Sequence, residues 1–174
     1  KTVDDYFKDT MDNAVMHVLN GTFDYNSIIR KVTDEMTRSG VRSINYDSGI
    51  STTIDVAARR AILTGVNQVT SKISSDNMQK LATEFVETSW HSTARPTHQV
   101  WQGRVFYWDR ANPNAEKIEA GVLYKSFIRE TGYGEVDGLC GANCRHTFYP
   151  FIPGISVRTY TDEQLEELNR QENE

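Results

Sequence analysis

The feature that most constrains the fold is a change in hydrophobic periodicity near Ser75. Before this residue, apolar side chains recur at spacings of three and four in three separate segments, which is the period of one helix face. The three stripes are Val3, Phe7, Met11, Ala14, Val15 and Val18; Ile28, Ile29, Val32 and Met36; and Ile54, Ala58, Ala61, Ile62, Val69 and Ile73. We therefore predict three amphipathic helices that pack through these stripes.

Turn residues separate the predicted helices. The tripeptide NGT at 20–22 ends the first helix, and Gly40 ends the second. The following segment VRSINYDSGIS, at 41–51, has turn residues and little periodicity, so we predict a connection to the third helix.

After Ser75 the pattern becomes mixed. The segments Glu84–Trp90 and Arg104–Trp108 alternate β-branched and aromatic residues, which is typical of strands. The stretch 117–130 returns to helical spacing and ends at the glycines of TGYG, so it predicts a helix.

The last third of the chain predicts one more strand and one more helix. The aromatic segment HTFYPFI, at 146–152, predicts a short strand, and Pro150 within it favours an edge position because proline cannot donate to a ladder. Thr161 followed by Gln164 has the spacing of a capping box, which predicts an acidic helix from Asp162 to about Asn169.

These elements together predict an α+β fold. Amphipathic helices over residues 1–75 are expected to pack on a small mixed α+β module at 76–174 that ends in the acidic helix, as one continuous domain. A length of 174 residues and a mass of 19.8 kDa suit one domain with a substantial core.

Composition restricts the classes of function. No apolar run approaches the roughly 18 residues that a membrane span needs, so a membrane role is not expected. The net charge of −5 argues against a general electrostatic grip on nucleic acid and allows only a local basic face. Two cysteines are too few for a disulfide framework, which favours a reducing compartment or one defined site.

The residues that carry chemistry are concentrated in two clusters. These are Trp90–Gly103 and Gly132–Gly154, and they contain three of the four histidines and both cysteines. One hypothesis is a metal site, because Cys140, Cys144 and His146 with His98 or His91 supply the nitrogen and sulfur donors that zinc takes in tetrahedral sites. The ligand set we favour for zinc is His98, Cys140, Cys144 and His146.

Three other interpretations of the cysteines stay open. Cys140 and Cys144 can be small buried hydrophobic residues beside glycine turns. They can form a disulfide across a very small loop, which would need an oxidising setting. Cys144 can also be a nucleophile assisted by His98 or His91, with an oxyanion bound by Arg145 or Asn143.

The glycines and arginines of the clusters are predicted to shape the loop. Gly138 and Gly141 are expected to provide backbone freedom that residues with a β-carbon lack. Arg95 and Arg145 are expected to brace the loop from buried positions. Their predicted partners are loop carbonyls, Asp137 and Glu135, with hydrogen bonds from Arg145 and His146 to the segment of Arg95 and His98.

The two clusters carry a family resemblance. ARPTHQVWQGRVF at 94–106 and GYGEVDGLCGANCRHTFYPFIPG at 132–154 resemble the phage minor capsid protein 2 family, which is related to MuF-like head morphogenesis proteins. The resemblance runs from about Thr52 to the C-terminus, and it implies that Arg95–His98 and Asn143–His146 are paired motif elements. Because members usually extend further at both ends, the chain is expected to be a trimmed module of a longer protein.

The resemblance implies a structural protein of the virion, made in the bacterial cytoplasm and present in few copies near the portal or the capsid interior. The expected partners are portal and capsid proteins, with at most weak, non-specific DNA contact through Arg104, Arg110, Lys117, Lys125 and Arg129. The residues that we assign to the structural motif of the two clusters are His91, Arg95, His98, Trp101, Gly103, Gly138, Cys140, Asn143, Cys144, Arg145 and His146. The alternative is an enzyme, either a Cys/His hydrolase or a toxin-like transferase, that uses Cys144 with His98 or His91.

Overall fold

The structure is a computed structural model, and it describes residues 2–172. Within this part of the chain there are six helices and seven short strands, which confirms the α+β class. The contacts divide the chain into two compact units, one up to Val66 and one from Asn67 onward. None of the helices described is both long and apolar enough to cross a lipid bilayer.

The first unit contains the three predicted helices, and all three are confirmed. They are α1 (Val3–Leu19), α2 (Tyr25–Arg38) and α3 (Ile54–Lys80), of which α3 continues into the second unit. Thr2 and Asp5 form a capping box at the start of α1, and the carboxylate of Asp24 accepts two backbone N–H groups at the start of α2. Most of the buried residues in the core of this unit come from the predicted stripes, and these include Met11, Ala14, Val15, Ile28, Ile29, Val32, Met36, Ala58 and Ile62.

The predicted connection between α2 and α3, at 41–51, contains a β-hairpin that the sequence did not indicate. Strands β1 (Ser43–Asn45) and β2 (Ser51–Thr53) pair antiparallel around a turn at Gly49, whose φ is +80°. Each strand has three residues, and only Ile44 is buried. An alternating pattern of this length contains too few apolar positions to indicate a strand.

The second unit is built on a three-stranded antiparallel sheet in the order β4-β3-β7. Its strands are β3 (Phe85–Thr88), β4 (Val105–Tyr107) and β7 (Phe148–Phe151), which confirms the three strands predicted here. All four residues of the central strand β3 are buried. Pro150 lies opposite Val86 on the edge strand, as expected for a residue without an N–H.

The helix predicted over 117–130 is wrong in its first half. This stretch forms a hairpin of β5 (Lys117–Glu119) and β6 (Val122–Tyr124), and only then the short helix α5 (Phe127–Thr131). Ala120 and Gly121 both have positive φ, 50° and 79°, which suits a two-residue hairpin turn and stops a helix. Ile118 and Val122, two of the residues that gave the helical spacing, are exposed in the hairpin.

The remaining helices are α4 (Pro96–Gln99), a single turn, and α6 (Asp162–Glu172). The capping box predicted for α6 is confirmed, because Thr161 and Gln164 exchange hydrogen bonds of 2.9 and 3.3 Å. The core of the second unit contains Trp108, Phe127 and Phe148, whose ring centroids lie 4.9 to 5.6 Å apart. Leu139, Cys140 and Cys144 complete this core, so the cysteine loop is packed inside the unit.

Candidate functional site

Three side chains of the two sequence clusters meet in the interior of the second unit. The Sγ atom of Cys144 lies 3.9 Å from Nδ1 of His98 and 3.7 Å from Nδ1 of His146, and the two Nδ1 atoms are 3.4 Å apart. The exposed fractions of Cys144, His98 and His146 are 1%, 2% and 2%. The helical turn α4 carries His98, and the loop that leads into β7 carries Cys144 and His146, so the fold brings the two clusters together.

The hydrogen bonds of the two rings determine which nitrogen carries hydrogen. Nε2 of His98 is 2.8 Å from the backbone carbonyl of Asp137, which can only accept. Nε2 of His146 is 2.8 Å from Oε1 of Gln102, and this oxygen also accepts the backbone N–H of His91 at 3.0 Å. Because a backbone N–H can only donate, the Gln102 atom must be the oxygen, and His146 must donate to it through Nε2.

A neutral ring with its hydrogen on Nε2 carries a lone pair on Nδ1, and the lowered pKa values of both histidines favour this form. Burial lowers the pKa of His98, and burial followed by the charges of neighbouring groups lowers the pKa of His146 to about 3. Burial also raises the pKa of the Cys144 thiol, which favours the S–H form. One S–H group can donate to only one of the two Nδ1 atoms, so this trio leaves a buried acceptor without a donor among its own members.

Cys140 does not join this trio, although the predicted zinc ligands included it. Its Sγ lies 3.7 Å from the backbone carbonyl of His146, and burial raises its pKa to about 12. Both cysteines are free thiols, so the disulfide alternative is not formed. The structure thus brings together three of the four predicted ligands, His98, Cys144 and His146.

The glycines of the loop provide space instead of the predicted backbone freedom. Gly138 and Gly141 do not have positive φ, but a β-carbon on Gly138 would overlap the carbonyl group of Gly132, and one on Gly141 would overlap carbonyl oxygens of the preceding turn. The left-handed positions are occupied by Cys140 and Asn143, with φ of 61° and 58°. The loop is closed by the close approach of two backbone segments, which a side chain would prevent.

The two arginines lie at the surface, so the prediction of buried bracing was wrong. Arg95 is exposed and donates from Nη2 to the backbone carbonyl of Ala142 at 2.9 Å, which is one of the loop-carbonyl contacts predicted for it. Arg145 is exposed as well. The pKa of His91 is lowered mainly by burial and, to a smaller extent, by the positive charge of Arg145. Surface guanidinium groups keep their hydration, so they need no buried carboxylate partner.

A pocket of about 260 Å³ borders the trio. It is lined by residues 91–95, by His98 and by Asn143–His146, and no carboxylate is among the residues that line it. The half-buried ring of His91 lies beside it, and its Nε2 is 3.0 Å from Oγ of Ser89. Solvent in this small polar pocket therefore reaches the neighbourhood of the trio.

Trp101 and Gly103, also predicted as motif residues, have structural positions. The ring of Trp101 packs against those of His98 and His146, with centroids 4.7 and 4.8 Å apart. Gly103 has a φ of +69°, and its backbone lies directly against the side chain of Leu165 in α6.

Two residues of the site were missed by the sequence reasoning. Gln102 is 1% exposed and orients His146. Its place between Trp101 and Gly103 in the motif could have indicated a role in the site, whereas a glutamine by itself does not. The buried amide of Asn67, in α3, donates to the backbone carbonyl of Cys144 across 77 positions, and nothing in its local sequence indicates this contact.

The fold and the site define a small α+β protein with a buried polar centre. The chain belongs to the phage minor capsid protein 2 family, which matches residues 1–174, the whole chain. This match confirms the resemblance and extends it through the N-terminal helices. No curated protein and no solved structure is significantly similar to the chain. Membership of the family gives the chain a structural role in the phage virion, among other phage structural proteins.

The contact between Gly138 and Gly132 yields a test of the loop. We expect Gly138→Ala to lower the free energy of unfolding by at least about 3 kcal/mol, because the added β-carbon meets backbone that cannot yield locally. The matched control is Gly134→Ala, where φ is +99° and no atom lies near the added carbon, so only backbone strain of about 1 to 2 kcal/mol applies. Urea unfolding of both variants measures the difference; equal losses would contradict the steric account.

Proposed function

We propose that the chain is a scaffold module of the phage head that acts in assembly, close to the portal or on the inner side of the capsid, as MuF-like head morphogenesis proteins do. The observation that carries this proposal is the enclosure of His98, Cys144 and His146, each at most 2% exposed. Buried polar side chains that join two distant segments of a chain hold those segments in one fixed arrangement. Family membership supplies the virion context.

The state of Cys144 favours this proposal over a Cys/His hydrolase. A nucleophilic cysteine needs an accessible thiolate, which a nearby base or positive charge usually stabilises. Cys144 is 1% exposed and burial raises the pKa of its thiol, so the side chain is neither accessible nor readily ionised. The arrangement therefore disfavours a reactive thiolate and favours a structural one.

Charge pairing favours protein partners over DNA. Three of the five basic residues considered for DNA contact are held in ion pairs with carboxylates, and these are Arg104 with Asp162, Lys117 with Glu84, and Arg129 with Glu116. Arg110 stacks over the ring of Trp108 at 4.4 Å. Because phosphate binding depends on unpaired positive charge, any DNA contact of this surface is weak, independent of sequence and sensitive to salt.

The proposal is tested on heads purified from the phage that encodes the chain. We expect mass spectrometry to detect the chain in few copies per head, and we expect cross-linking through lysines to join it to portal or capsid subunits. External protease should degrade it only after the heads are opened, which distinguishes the interior from the outer surface. Absence of the chain from purified heads, or its complete digestion in closed heads, would contradict the proposed location.

The reactivity of the thiol separates the scaffold from the hydrolase. The Cys140→Ser variant leaves Cys144 as the single cysteine. We expect iodoacetamide at neutral pH to react at least about 100-fold more slowly with the folded variant than with the unfolded one. The reason is that Cys144 is buried, so the reaction requires an opening of the core. Cys144→Ser should lower the melting temperature. Rapid alkylation of Cys144 in the folded protein, together with unchanged stability of Cys144→Ser, would support the enzyme instead.

A further inference from the structure

We propose that Sγ of Cys144, Nδ1 of His98 and Nδ1 of His146 bind one zinc ion. This site differs from the four-ligand set that the sequence suggested, because Cys140 is not part of it and because the geometry assigns the ligating nitrogen of each ring. It does not depend on the location of the chain in the phage head.

The distances between the three donor atoms fit tetrahedral zinc. Zinc binds imidazole nitrogen at about 2.0–2.1 Å and thiolate sulfur at about 2.3 Å. At tetrahedral angles these bonds separate two nitrogens by about 3.3 Å and a nitrogen from the sulfur by about 3.6 Å. The observed separations are 3.4 Å between the Nδ1 atoms, and 3.7 and 3.9 Å from these atoms to Sγ. The donors therefore need to move by only a few tenths of an ångström to bind the ion.

The outer nitrogens of both rings are arranged as in metal-binding histidines. A histidine that binds a metal usually donates its other ring N–H to a carbonyl or carboxylate, which fixes the tautomer and the direction of the ring. Nε2 of His98 donates to the Asp137 carbonyl and Nε2 of His146 to the Gln102 amide oxygen, both at 2.8 Å. Both lone pairs at Nδ1 are thereby directed into the trio.

The buried trio has two lone-pair acceptors and only one hydrogen to donate to them. Two imidazole lone pairs that face each other at 3.4 Å repel, and a single thiol hydrogen can satisfy only one of them. An unpaired buried acceptor costs roughly 1 to 3 kcal/mol. A zinc ion satisfies both nitrogens at once and binds the thiolate, and the thiol proton leaves to solvent.

The fourth zinc ligand is assigned to a water molecule in the pocket that the three residues border. The protein supplies three donors, whereas zinc in proteins is almost always four-coordinate. His91 also lines this pocket, but it is not among the described residues whose ligand atoms lie close enough together to share an ion. The pocket of about 260 Å³ has room for several water molecules, so solvent can reach the ion.

The test measures metal binding by the whole chain. The protein is stripped with a chelator under reducing conditions and titrated with zinc and with cobalt. We expect one equivalent of either ion to bind, and we expect the cobalt complex to show the near-ultraviolet absorption of a cobalt–thiolate bond. Cys144→Ala and His146→Ala should bind zinc at least about 100-fold more weakly, because each loses a ligand.

The matched control is Cys140→Ala. Cys140 is buried in the same loop, but its sulfur does not face the two Nδ1 atoms, so zinc affinity should stay within about threefold of the parent chain. Circular dichroism verifies that each variant is folded, and the cobalt spectrum of the parent tests the site even if a variant unfolds. Failure of the folded parent to bind either ion would overturn the proposal, as would loss of binding in Cys140→Ala with binding retained in Cys144→Ala.

Discussion

The hydrogen bonds at Oε1 of Gln102 determine the arrangement of the second unit's centre. This one oxygen accepts the Nε2–H of His146 at 2.8 Å and the backbone N–H of His91 at 3.0 Å, so it joins the two sequence clusters. The direction of the His146 ring follows from it, and with that direction the position of Nδ1 beside Cys144. If this oxygen were replaced by an apolar group, a buried imidazole N–H and a backbone N–H would both lose their acceptor, at roughly 1 to 3 kcal/mol each.

These polar contacts specify the arrangement, but they are not the main source of stability. A satisfied hydrogen bond contributes only about 0.5–1.5 kcal/mol net, because the unfolded chain binds water instead. Burial of one large aromatic side chain contributes about 1.5–3 kcal/mol, and Trp108, Phe127 and Phe148 pack together beside the cysteine loop. The apolar core therefore supplies most of the stability, while the histidines determine how the loop and α4 meet.

Much of the fold follows from the sequence, because long amphipathic stripes leave one helix face to bury. The stripe of α2, from Ile28 to Met36, is an example. The hairpins were not predictable in the same way, since each strand has three residues and the β5–β6 hairpin exposes Ile118 and Leu123. Their formation depends on positive φ at the turns, which a hydrophobic pattern does not record.

The site was predictable in its composition and not in its geometry. The concentration of histidine and cysteine in two clusters indicated that His98, Cys144 and His146 act together. The sequence could not show that Cys140 faces a carbonyl. The direction of a loop side chain depends on the backbone dihedrals, and the φ of Cys140 is +61°. The sequence also gave the wrong reason for Gly138. A side chain is excluded there because the backbone of Gly132, six positions earlier, lies against it, and this contact exists only in the folded loop.

The most direct measurement of the central claim is the protonation of the two ring systems in the folded, metal-free protein. Long-range proton–nitrogen correlation spectra of the histidine side chains distinguish Nδ1–H from Nε2–H. The account predicts that His98 and His146 are both neutral at pH 7 and carry their hydrogen on Nε2, in agreement with their acceptors at Asp137 and Gln102. A hydrogen on Nδ1 of either ring, or a charged ring, would contradict it.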